Sequence, residues 1–246
     1  MVPVPSYPET EDIVTASEDY AGRFAGEVGG YFLELQRDLT LELLKPYPGA
    51  TILDVGGGHA QLAVPLVEQG FRVTVTGSSD ECRRRLDSRL AAGSFSYRTC
   101  DMLHLPYDDR SFDVVIAFRL IPHVVRWREL IAEMSRVARL AVIVDYPDKR
   151  SFNFLTSQLF GLKKKLEVNT RPYTLFTRKQ IIEAFGRHSM GSPVARHEFF
   201  LPMVLHRKMS SVSISRRLEN AARACGLVRL FGSPVIIRFQ RLSESK

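Results

Sequence analysis

The sequence predicts an α/β fold built on a doubly wound, mostly parallel sheet. Short apolar runs alternate with stretches of helical periodicity between residues 51 and 146, a pattern typical of parallel strands joined by crossover helices. The first apolar run ends in three consecutive glycines and is followed by a helical pattern, as at a sharp turn from a strand into a helix. A chain of 246 residues is long enough to bury a sizeable core in one such domain.

Five strands and three helices are predicted in this alternating part of the chain. Apolar runs predict the strands, at residues 51–55, 71–76, 96–100, 112–118 and 140–146. Apolar residues at spacings of three and four predict the helices, which are expected up to residue 69, at residues 80–91 and at residues 128–137. Because strands and helices alternate, successive strands are expected to be parallel.

The residues before the first strand predict an N-terminal helix. Apolar side chains recur every three or four residues from residue 18 to residue 44, the spacing of an amphipathic helix. Gly29 and Gly30 are expected to interrupt this helix, and Pro46 to end it. Residues 1–15 are rich in proline and acidic side chains, and we expect them to be extended or loosely attached.

The last hundred residues predict further helices and two late strands. Apolar and basic residues predict helices at residues 151–166 and 213–225, and Thr177 is expected to cap a third helix at residues 178–187. Two late strands complete a predicted sheet of seven, at residues 198–205 and 234–239.

The net charge of +7 is unevenly divided along the chain. Residues 1–147 hold 15 Lys and Arg against 21 Asp and Glu, whereas residues 148–246 hold 19 against 6. This asymmetry predicts that the two parts face different partners. Nucleic acid, an anionic membrane surface and an acidic small molecule are all compatible with the basic part.

Composition also excludes several classes of protein. No run approaches the ~18 apolar residues of a transmembrane helix, and we expect no secretory signal, because the N-terminus lacks a basic-then-apolar stretch. Three scattered cysteines show no metal-binding or redox spacing, so they are expected to be reduced thiols of a cytoplasmic protein. The histidines lack ligand spacing as well, and no metal site is expected.

The strongest motif is the turn after the first strand, DVGGGHAQ at residues 54–61. Glycines let the backbone approach a ligand closely, and a following helix offers free N–H groups. A nicotinamide dinucleotide fingerprint requires a glycine at the position of Gln61, so that class is excluded. A P-loop is excluded too, because no Gly-Lys-Ser/Thr follows.

The acid before the glycines resembles the first motif of class I S-adenosylmethionine-dependent methyltransferases, Asp/Glu-x-Gly-x-Gly-x-Gly. Asp54, Gly56 and Gly58 match this motif, and Ala60 replaces its third glycine. The resemblance covers residues 18–147 and is greatest to the broad type 11 group, which includes quinone-biosynthesis methyltransferases. Further matching pieces follow in family order, at residues 100–102, 105–106, 111–115, 121–124 and 130–139.

This resemblance implies a single Rossmann-like methyltransferase domain with a seven-stranded sheet whose last strand is antiparallel. Residues 1–45 would form an N-terminal helical lid, and residues 46–147 the cofactor-binding core. Residues 148–246 would contribute helical insertions on the substrate side and the final strands. The implied cofactor is S-adenosylmethionine.

The resemblance also implies which residues bind the cofactor. The family acid that holds the ribose hydroxyls is replaced here by Gly77, and Ser78 is a nearby substitute. Asp101 corresponds to the acid that bonds the adenine amino group, and Met102 would pack on the adenine. The other expected contacts lie in the glycine turn and at the end of the fourth strand, at Asp54, Gly56, Gly57, Gly58, His59 and Phe118.

Four further residues are candidates for the acceptor side. His123 is the candidate general base, because an imidazole accepts a proton near neutral pH; a structural hydrogen-bonding role is the alternative. Tyr20 in the lid, and Asp145 and Tyr146 at the fifth strand, are candidate substrate-binding residues. Open α/β sheets bind ligands at the carboxyl ends of their strands, although packing in the core is an alternative for these residues.

The predicted function is transfer of a methyl group from S-adenosylmethionine to a small-molecule or lipid-like acceptor, with an anionic one favoured by the basic part. An anionic membrane surface is a further predicted partner. Two alternatives stay open: a tRNA or rRNA methyltransferase, and a non-catalytic methyltransferase-like binding protein, which Gly77 favours. Nucleic acid is the less favoured partner, because the sequence contains no recognisable nucleic-acid-binding module.

Overall fold

A computed structural model describes residues 7–151 and 173–243 and shows a seven-stranded sheet. The strands lie in the order β3-β2-β1-β4-β5-β7-β6. Strand β7 is antiparallel to both of its neighbours, and the pairs from β3 to β5 are parallel. The predicted fold class is therefore confirmed. The strand bounds are β1 Thr51–Val55, β2 Arg72–Gly77, β3 Ser96–Thr99, β4 Phe112–Ala117, β5 Ala138–Tyr146, β6 Met190–Phe199 and β7 Ser233–Arg241.

The helices flank this sheet on both faces. Those before β5 are α1 Glu11–Thr15, α2 Glu18–Gly22, α3 Gly26–Leu44, α4 Ala63–Glu68, α5 Arg84–Asp87 and α6 Trp127–Val137. Those in the second described range, residues 173–243, are α7 Arg178–Gly186, α8 Met203–Met209, α9 Val212–Ala224 and α10 Leu227–Phe231. Single 3-10 turns occur at Gly57–His59, Asp80–Arg83 and Ile121–His123.

The core lies on both sides of the central strands. In β1, Ile52 and Leu53 are both fully buried, and they belong to two different apolar clusters on opposite faces of the sheet. Strands buried on both faces are the rule in parallel sheets covered by helices, which explains why the sequence shows continuous apolar runs there. Thr177 caps α7 through a capping box with Gln180, as the sequence predicts.

The topology creates a crevice at the carboxyl end of β1. Strand β1 pairs with β2 on one side and with β4 on the other. The strand order therefore runs outward from β1 in two opposite directions, to β2 and β3 on one side and to β4 and β5 on the other. Such a switch point leaves an open crevice where parallel α/β sheets bind ligands. The glycine turn lies at this point.

The N-terminal helix is interrupted at a different place from the one predicted. Helix α3 runs without a break through Gly29 and Gly30, and the break falls at residues 23–25, between α2 and α3. A Cβ on Gly29 would lie 2.2 Å from the Phe24 carbonyl oxygen, so this glycine lets the preceding turn approach the helix. Gly29 is therefore a packing residue, and the predicted interruption is wrong.

The predicted late strand at residues 198–205 is also wrong. The strand β6 lies earlier, at Met190–Phe199, and the helix α8 occupies Met203–Met209. The register of β6 against β7 shifts between Gly191 and Val194, and most of the strand is only half-buried. A bulged edge strand of this kind lacks the clean alternation of apolar and polar residues on which sequence prediction depends.

Residues 9–15 are packed, contrary to the expectation that residues 1–15 are extended or loosely attached, of which residues 1–6 lie outside the described part. Asp12 is fully buried, and Glu9 and Thr15 are also buried. The predicted helix at residues 80–91 is reduced to a 3-10 turn and the short α5. The predicted helix at residues 151–166 lies outside the described residues, apart from Ser151. Among the described residues, no helix has the length and the apolar character needed to cross a membrane.

Candidate functional site

The glycine turn uses two residues in the left-handed backbone region. Gly56 has a φ of 71° and Ala60 a φ of 57°. Glycine adopts this region without a steric penalty, whereas an L-residue with a Cβ is destabilised by about 1–2 kcal/mol. Replacing the third family glycine with Ala60 therefore leaves the fold of the turn intact but strains it locally.

Ala60→Gly is expected to raise the free energy of unfolding by about 0.5–1 kcal/mol, because it removes this strain. The measurement is urea denaturation monitored by circular dichroism. Ala221→Gly, on the exposed side of α9, is the matched control and is expected to lower the free energy of unfolding by about 1 kcal/mol. An equal loss of stability in both variants would contradict the prediction.

Asp54 is a buried acid without a partner. Its side chain is fully buried, and neither carboxylate oxygen has a hydrogen-bond partner among the described residues. A Cβ on Gly57 would lie 2.2 Å from the carboxylate, so this glycine makes room for the acid. Burial raises the pKa of Asp54 from 3.8 to about 8. An orphaned acid at a ligand-binding crevice calls for a cationic or hydrogen-donating ligand.

His59, in the same turn, is a buried hydrogen-bond donor. Burial, together with the charges of Arg119 and Arg85, lowers the pKa of His59 to about 3, so its imidazole is neutral. Its Nδ1 accepts a hydrogen bond from the Gln61 N–H at 3.2 Å. The ring proton of that neutral tautomer is therefore on Nε2, a buried atom that forms no hydrogen bond within the described part of the chain.

Arg119 follows β4, the neighbour of β1 in the sheet. Its φ is 57°, and non-glycine residues held in this region are often found at functional sites. The buried Nη1 has no hydrogen-bond partner among residues 7–151 and 173–243, whereas Nη2 donates to the Gln36 side chain at 3.1 Å. Together, one orphaned acid and two orphaned donors complement a zwitterionic amino acid, with its ammonium and carboxylate groups.

The ends of β2 and β3 show how the predicted nucleoside contacts are arranged. Ser78 donates hydrogen bonds from its N–H at 2.7 Å and from its Oγ at 2.5 Å to the carboxylate of Asp12. Asp101 accepts a hydrogen bond from the Leu103 N–H and lies 2.9 Å from the His104 Nδ1. Met102 is buried in the core beneath it.

Gly77 cannot be replaced by an acid in this conformation. A Cβ at this position would lie 2.3 Å from the Tyr97 hydroxyl and 3.2 Å from the Asp12 Oδ2. A carboxylate that does reach the end of β2 is that of Asp12, which comes from α1.

A small cavity lies beside the glycine turn, at the ends of β4, β5 and β6. Its volume is about 150 Å³. Of the residues that the structure describes, four contribute phenyl or phenol rings to its lining: Tyr20, Phe24, Phe32 and Tyr173. The polar side chains that line it are Gln36, Arg119, His123, Asp145 and Glu198.

Hydrogen bonds join the polar groups of the cavity into one network. The Gln36 Nε2 donates to the Glu198 Oε1 at 3.3 Å, and its Oε1 accepts from Arg119. The Arg119 backbone N–H donates to the Asp145 Oδ1 at 2.6 Å. Burial raises the pKa of Asp145 to about 6, and burial together with the charge of Asp145 raises that of Glu198 to about 8.

The structure brings Tyr20, His123 and Asp145 together at this cavity, as their proposed roles require. His123 lies against the Tyr173 ring, with 5.4 Å between ring centroids. Tyr146 is not among the lining residues, because its side chain is fully buried in the core. Phe118 is buried in the core cluster on the other face. The functional roles of all these residues stay predictions.

Four polar residues of the site are not found by the sequence analysis. The sequence contains a usable signal for Gln36, because it is a polar residue in the apolar stripe of α3. It also contains a signal for Arg119, since this residue directly follows a predicted strand that ends at the crevice. Asp12 and Glu198 give none, because their burial depends on contacts with residues more than 60 positions away.

Comparison with known proteins agrees with the predicted resemblance. A protein family described as a methyltransferase domain matches residues 53–141. An O-methyltransferase of Penicillium expansum is 28% identical over 157 residues, 55% of this chain and 57% of that protein. The ubiquinone/menaquinone C-methyltransferase UbiE of Paracoccus denitrificans is 32% identical over 105 residues, 40% of this chain and 42% of that protein. The chain thus spans about half the length of these relatives.

Solved structures show the same fold at lower identity. The magnesium protoporphyrin IX methyltransferase of Synechocystis, with bound SAH, aligns with a TM-score of 0.63 and 16% identity, covering 93% of this chain and 97% of that one. The resemblance to class I methyltransferases of the type 11 group is confirmed. Residues 53–141 therefore match the methyltransferase-domain family, within a chain that has the class I methyltransferase fold.

Proposed function

We propose that this chain transfers a methyl group from S-adenosylmethionine to a small-molecule acceptor. The observation that carries this proposal is the set of orphaned buried groups at the glycine turn: the carboxyl of Asp54 and the donors of His59 and Arg119. The methionine end of the proposed cofactor is a zwitterionic amino acid and matches this set. Relatives named O- and C-methyltransferases support the same reaction class.

In this proposal each residue has a defined task. Asp54 binds the ammonium group, and the Nε2 of His59 and the Nη1 of Arg119 bind the carboxylate. Asp101 and Met102 bind the adenine, as the family resemblance implies, and Ser78 lies at the ribose. The bound cofactor supplies a methyl group already activated on a sulfonium.

On the acceptor side the chain's task is to position a nucleophile and exclude water. The cavity beside the glycine turn is the proposed acceptor site, and Arg119 links the two sites because it contacts both. His123 is the proposed general base for an acceptor hydroxyl. Most of the rate gain is expected from orientation within the closed site.

Equilibrium binding tests the cofactor directly. Isothermal titration calorimetry with S-adenosylhomocysteine is expected to show one site per chain with a dissociation constant in the micromolar range. Absence of binding at millimolar S-adenosylhomocysteine would contradict the proposal. Tight binding of RNA that weakens steeply with added salt would instead favour the alternative RNA methyltransferase.

Binding of the cofactor is expected to release a proton from Asp54 below pH 8. The pKa of Asp54 is raised to about 8, so the free chain holds the proton at pH 7, whereas an adjacent ammonium group stabilises the ionised acid. Affinity should therefore rise as pH increases from 6 to 8. Calorimetry at pH 7 in two buffers of different ionisation enthalpy measures the released proton, and Asp54→Asn should abolish it. Equal proton release by the variant would contradict the assignment.

A further inference from the structure

The cavity beside the glycine turn has a size that restricts what it accepts. Its volume is about 150 Å³, close to that of a protein cavity known to hold a single benzene ring. The rings of Phe24 and Phe32 wall one part of it, together with Tyr20 and Tyr173. Aromatic walls favour stacked or edge-to-face contacts with another ring. A single aromatic ring is therefore the ligand that the walls complement best.

The polar end of the cavity is built from carboxyls on two different strands. Glu198 lies near the end of β6 and is 3% exposed, and Asp145 lies in β5 and is 4% exposed. Glu198 accepts from Gln36 through Oε1, and Asp145 accepts from Arg119 through Oδ1. At pH 7 the raised pKa of Glu198, about 8, leaves the proton on this acid, whereas Asp145, with a pKa of about 6, is ionised. A ligand hydroxyl can therefore donate to the second oxygen of Asp145 and accept from the acid of Glu198.

Charge decides against an anionic ligand. Among the described residues, Arg119 alone brings a guanidinium to the cavity; its Nη2 is engaged by Gln36 and its plane by the face of Phe24 at 3.9 Å, and its Nη1 is the proposed partner of the cofactor carboxylate. A carboxylate entering the cavity would meet two carboxyls. Arg216, another residue of the basic part, lies outside the cavity lining and pairs with Glu34 at 3.0 Å.

We infer that Glu198 determines acceptor specificity: with Asp145 it forms the hydrogen-bonding end of a single-ring cavity that selects neutral hydroxylated aromatic compounds over anionic ones. This inference rests on the proposed function, because it treats the cavity as the acceptor site. It replaces the anionic acceptor that the net charge favours with a neutral phenol-like one.

Three matched probes test this inference without any cofactor: p-cresol, toluene and benzoate, titrated into the full chain and followed by calorimetry or NMR. We expect p-cresol to bind at least tenfold more tightly than toluene or benzoate, since only p-cresol is a neutral ring with a hydroxyl. Glu198→Leu should reduce the preference for p-cresol over toluene to less than threefold. Glu198→Gln, which keeps a hydrogen-bond donor and an acceptor oxygen, should retain most of it.

Glu183→Gln, on the exposed part of α7, is the matched control and should leave all three affinities unchanged. Tighter binding of benzoate, or an unchanged p-cresol preference in Glu198→Leu, would overturn the inference. Absence of binding by every probe at 10 mM (about 3 kcal/mol of affinity) would overturn it as well. Because these titrations omit the cofactor, their failure is distinct from a failure to bind S-adenosylhomocysteine.

A different set of contacts concerns the segment of residues 9–16, which crosses the glycine turn. At one end, the Glu9 Oε1 accepts a hydrogen bond from the Arg126 N–H at 2.8 Å, on the β4 side of the crevice. In the middle, Asp12 binds the N–H and the hydroxyl of Ser78 at the end of β2. The segment therefore bridges the two sides of the crevice where the cofactor is proposed to lie.

The segment also reaches the glycines that would have to contact a ligand. A Cβ on Gly56 would lie 3.0 Å from the Leu120 Cδ2 and 3.3 Å from the Asp12 Cβ, and one on Gly58 would lie 2.6 Å from the Cys82 carbonyl oxygen and 3.1 Å from the Ala16 Cβ. The segment is therefore one of the walls against these glycines, and a ligand that approaches them from its side has to displace it.

We propose that residues 9–16 form an intramolecular plug that must leave the crevice for the cofactor to bind. The proposal rests on the proposed function and predicts competition between Asp12 and the cofactor. Asp12→Ala, and Glu9→Ala/Asp12→Ala in the same full chain, should bind S-adenosylhomocysteine at least tenfold more tightly than the native chain. Asp19→Ala, at an exposed position of α2, should bind as the native chain does.

Hydrogen exchange gives a second readout. Amides of residues 9–16 should exchange faster when S-adenosylhomocysteine is bound, because the plug has left. Weaker binding by Asp12→Ala would overturn this proposal alone and would make Asp12 a cofactor ligand in place of the acid missing at Gly77. No binding by any of these chains would remove both the plug and the proposed cofactor.

Discussion

Asp54→Asn is expected to weaken S-adenosylhomocysteine binding by at least a hundredfold. The ammonium group of the ligand would then lie in a buried site without a countercharge, and removal of one partner of a buried ion pair typically costs about 3–5 kcal/mol. Asparagine has the same shape, so the turn at Gly57 should be undisturbed. Calorimetry measures the affinity.

Stability supplies the control for this variant. The pKa of Asp54 is raised from 3.8 to about 8 in the folded chain. Between pH 4 and pH 8, therefore, Asp54 is protonated in the folded state and ionised in the unfolded state. The native chain should therefore lose stability as pH rises from 4 to 8 on account of this group. Asp54→Asn should be at least as stable as the native chain at pH 8. Affinity within threefold of the native value would refute the assigned role.

Glu219→Leu is expected to lower the free energy of unfolding by about 3–5 kcal/mol. Glu219 is 1% exposed and binds three donors at once: the N–H groups of Phe200 and Leu201, both at 2.9 Å, and the Nε2 of His206 at 3.0 Å. Substitution leaves these buried donors without their acceptor, which is among the most destabilising changes in a protein. Urea denaturation measures the loss.

Glu183→Gln is the control for this prediction too. Glu183 forms an exposed pair with Lys179 at 3.7 Å, and such pairs contribute little, about 0–1 kcal/mol. A loss of stability below about 1 kcal/mol in Glu219→Leu would show that Glu219 does not stabilise the turn at residues 200–202, between β6 and α8. This turn lies between Glu198 and Met203, two residues that line the cavity, so the shape of the cavity depends on it.

The first five strands and their parallel arrangement could be predicted from the sequence because local patterns determine most of them. Strands β1 and β4 and most of β5 are buried on both faces, so each appears as an apolar run, whereas β3, at the edge of the sheet, is half-exposed. The glycine turn is visible as well, since the acid and the glycines are adjacent in sequence. These are also the parts that the family match covers, at residues 53–141.

The rest of the site could not be predicted because distant contacts create it. Asp12 is an ordinary acid in a proline-rich terminus until Ser78 binds it across 66 positions. Glu198 lies in a bulged strand and is paired with Gln36 across 162 positions. Nothing local distinguishes either acid from an exposed one.

The charge pattern led to a specific expectation that the cavity does not support. The basic excess after residue 147 favours an anionic acceptor, yet among the described residues the proposed acceptor cavity is lined by Asp145 and Glu198 beside Arg119. Net charge describes the surface that a ligand approaches, whereas the buried groups decide what binds. The described lining of the cavity does not share the positive excess of the surface.

Transfer of an isotopically labelled methyl group tests the proposed activity most directly. The purified chain is incubated with trideuteromethyl S-adenosylmethionine and a cell extract that has been divided into small-molecule and RNA fractions, and mass spectrometry follows the label. We predict that a low-molecular-weight compound gains one labelled methyl group with the native chain and not with Asp54→Asn. Label found only in RNA, or no labelled product although the donor binds, would contradict methyl transfer to a small molecule.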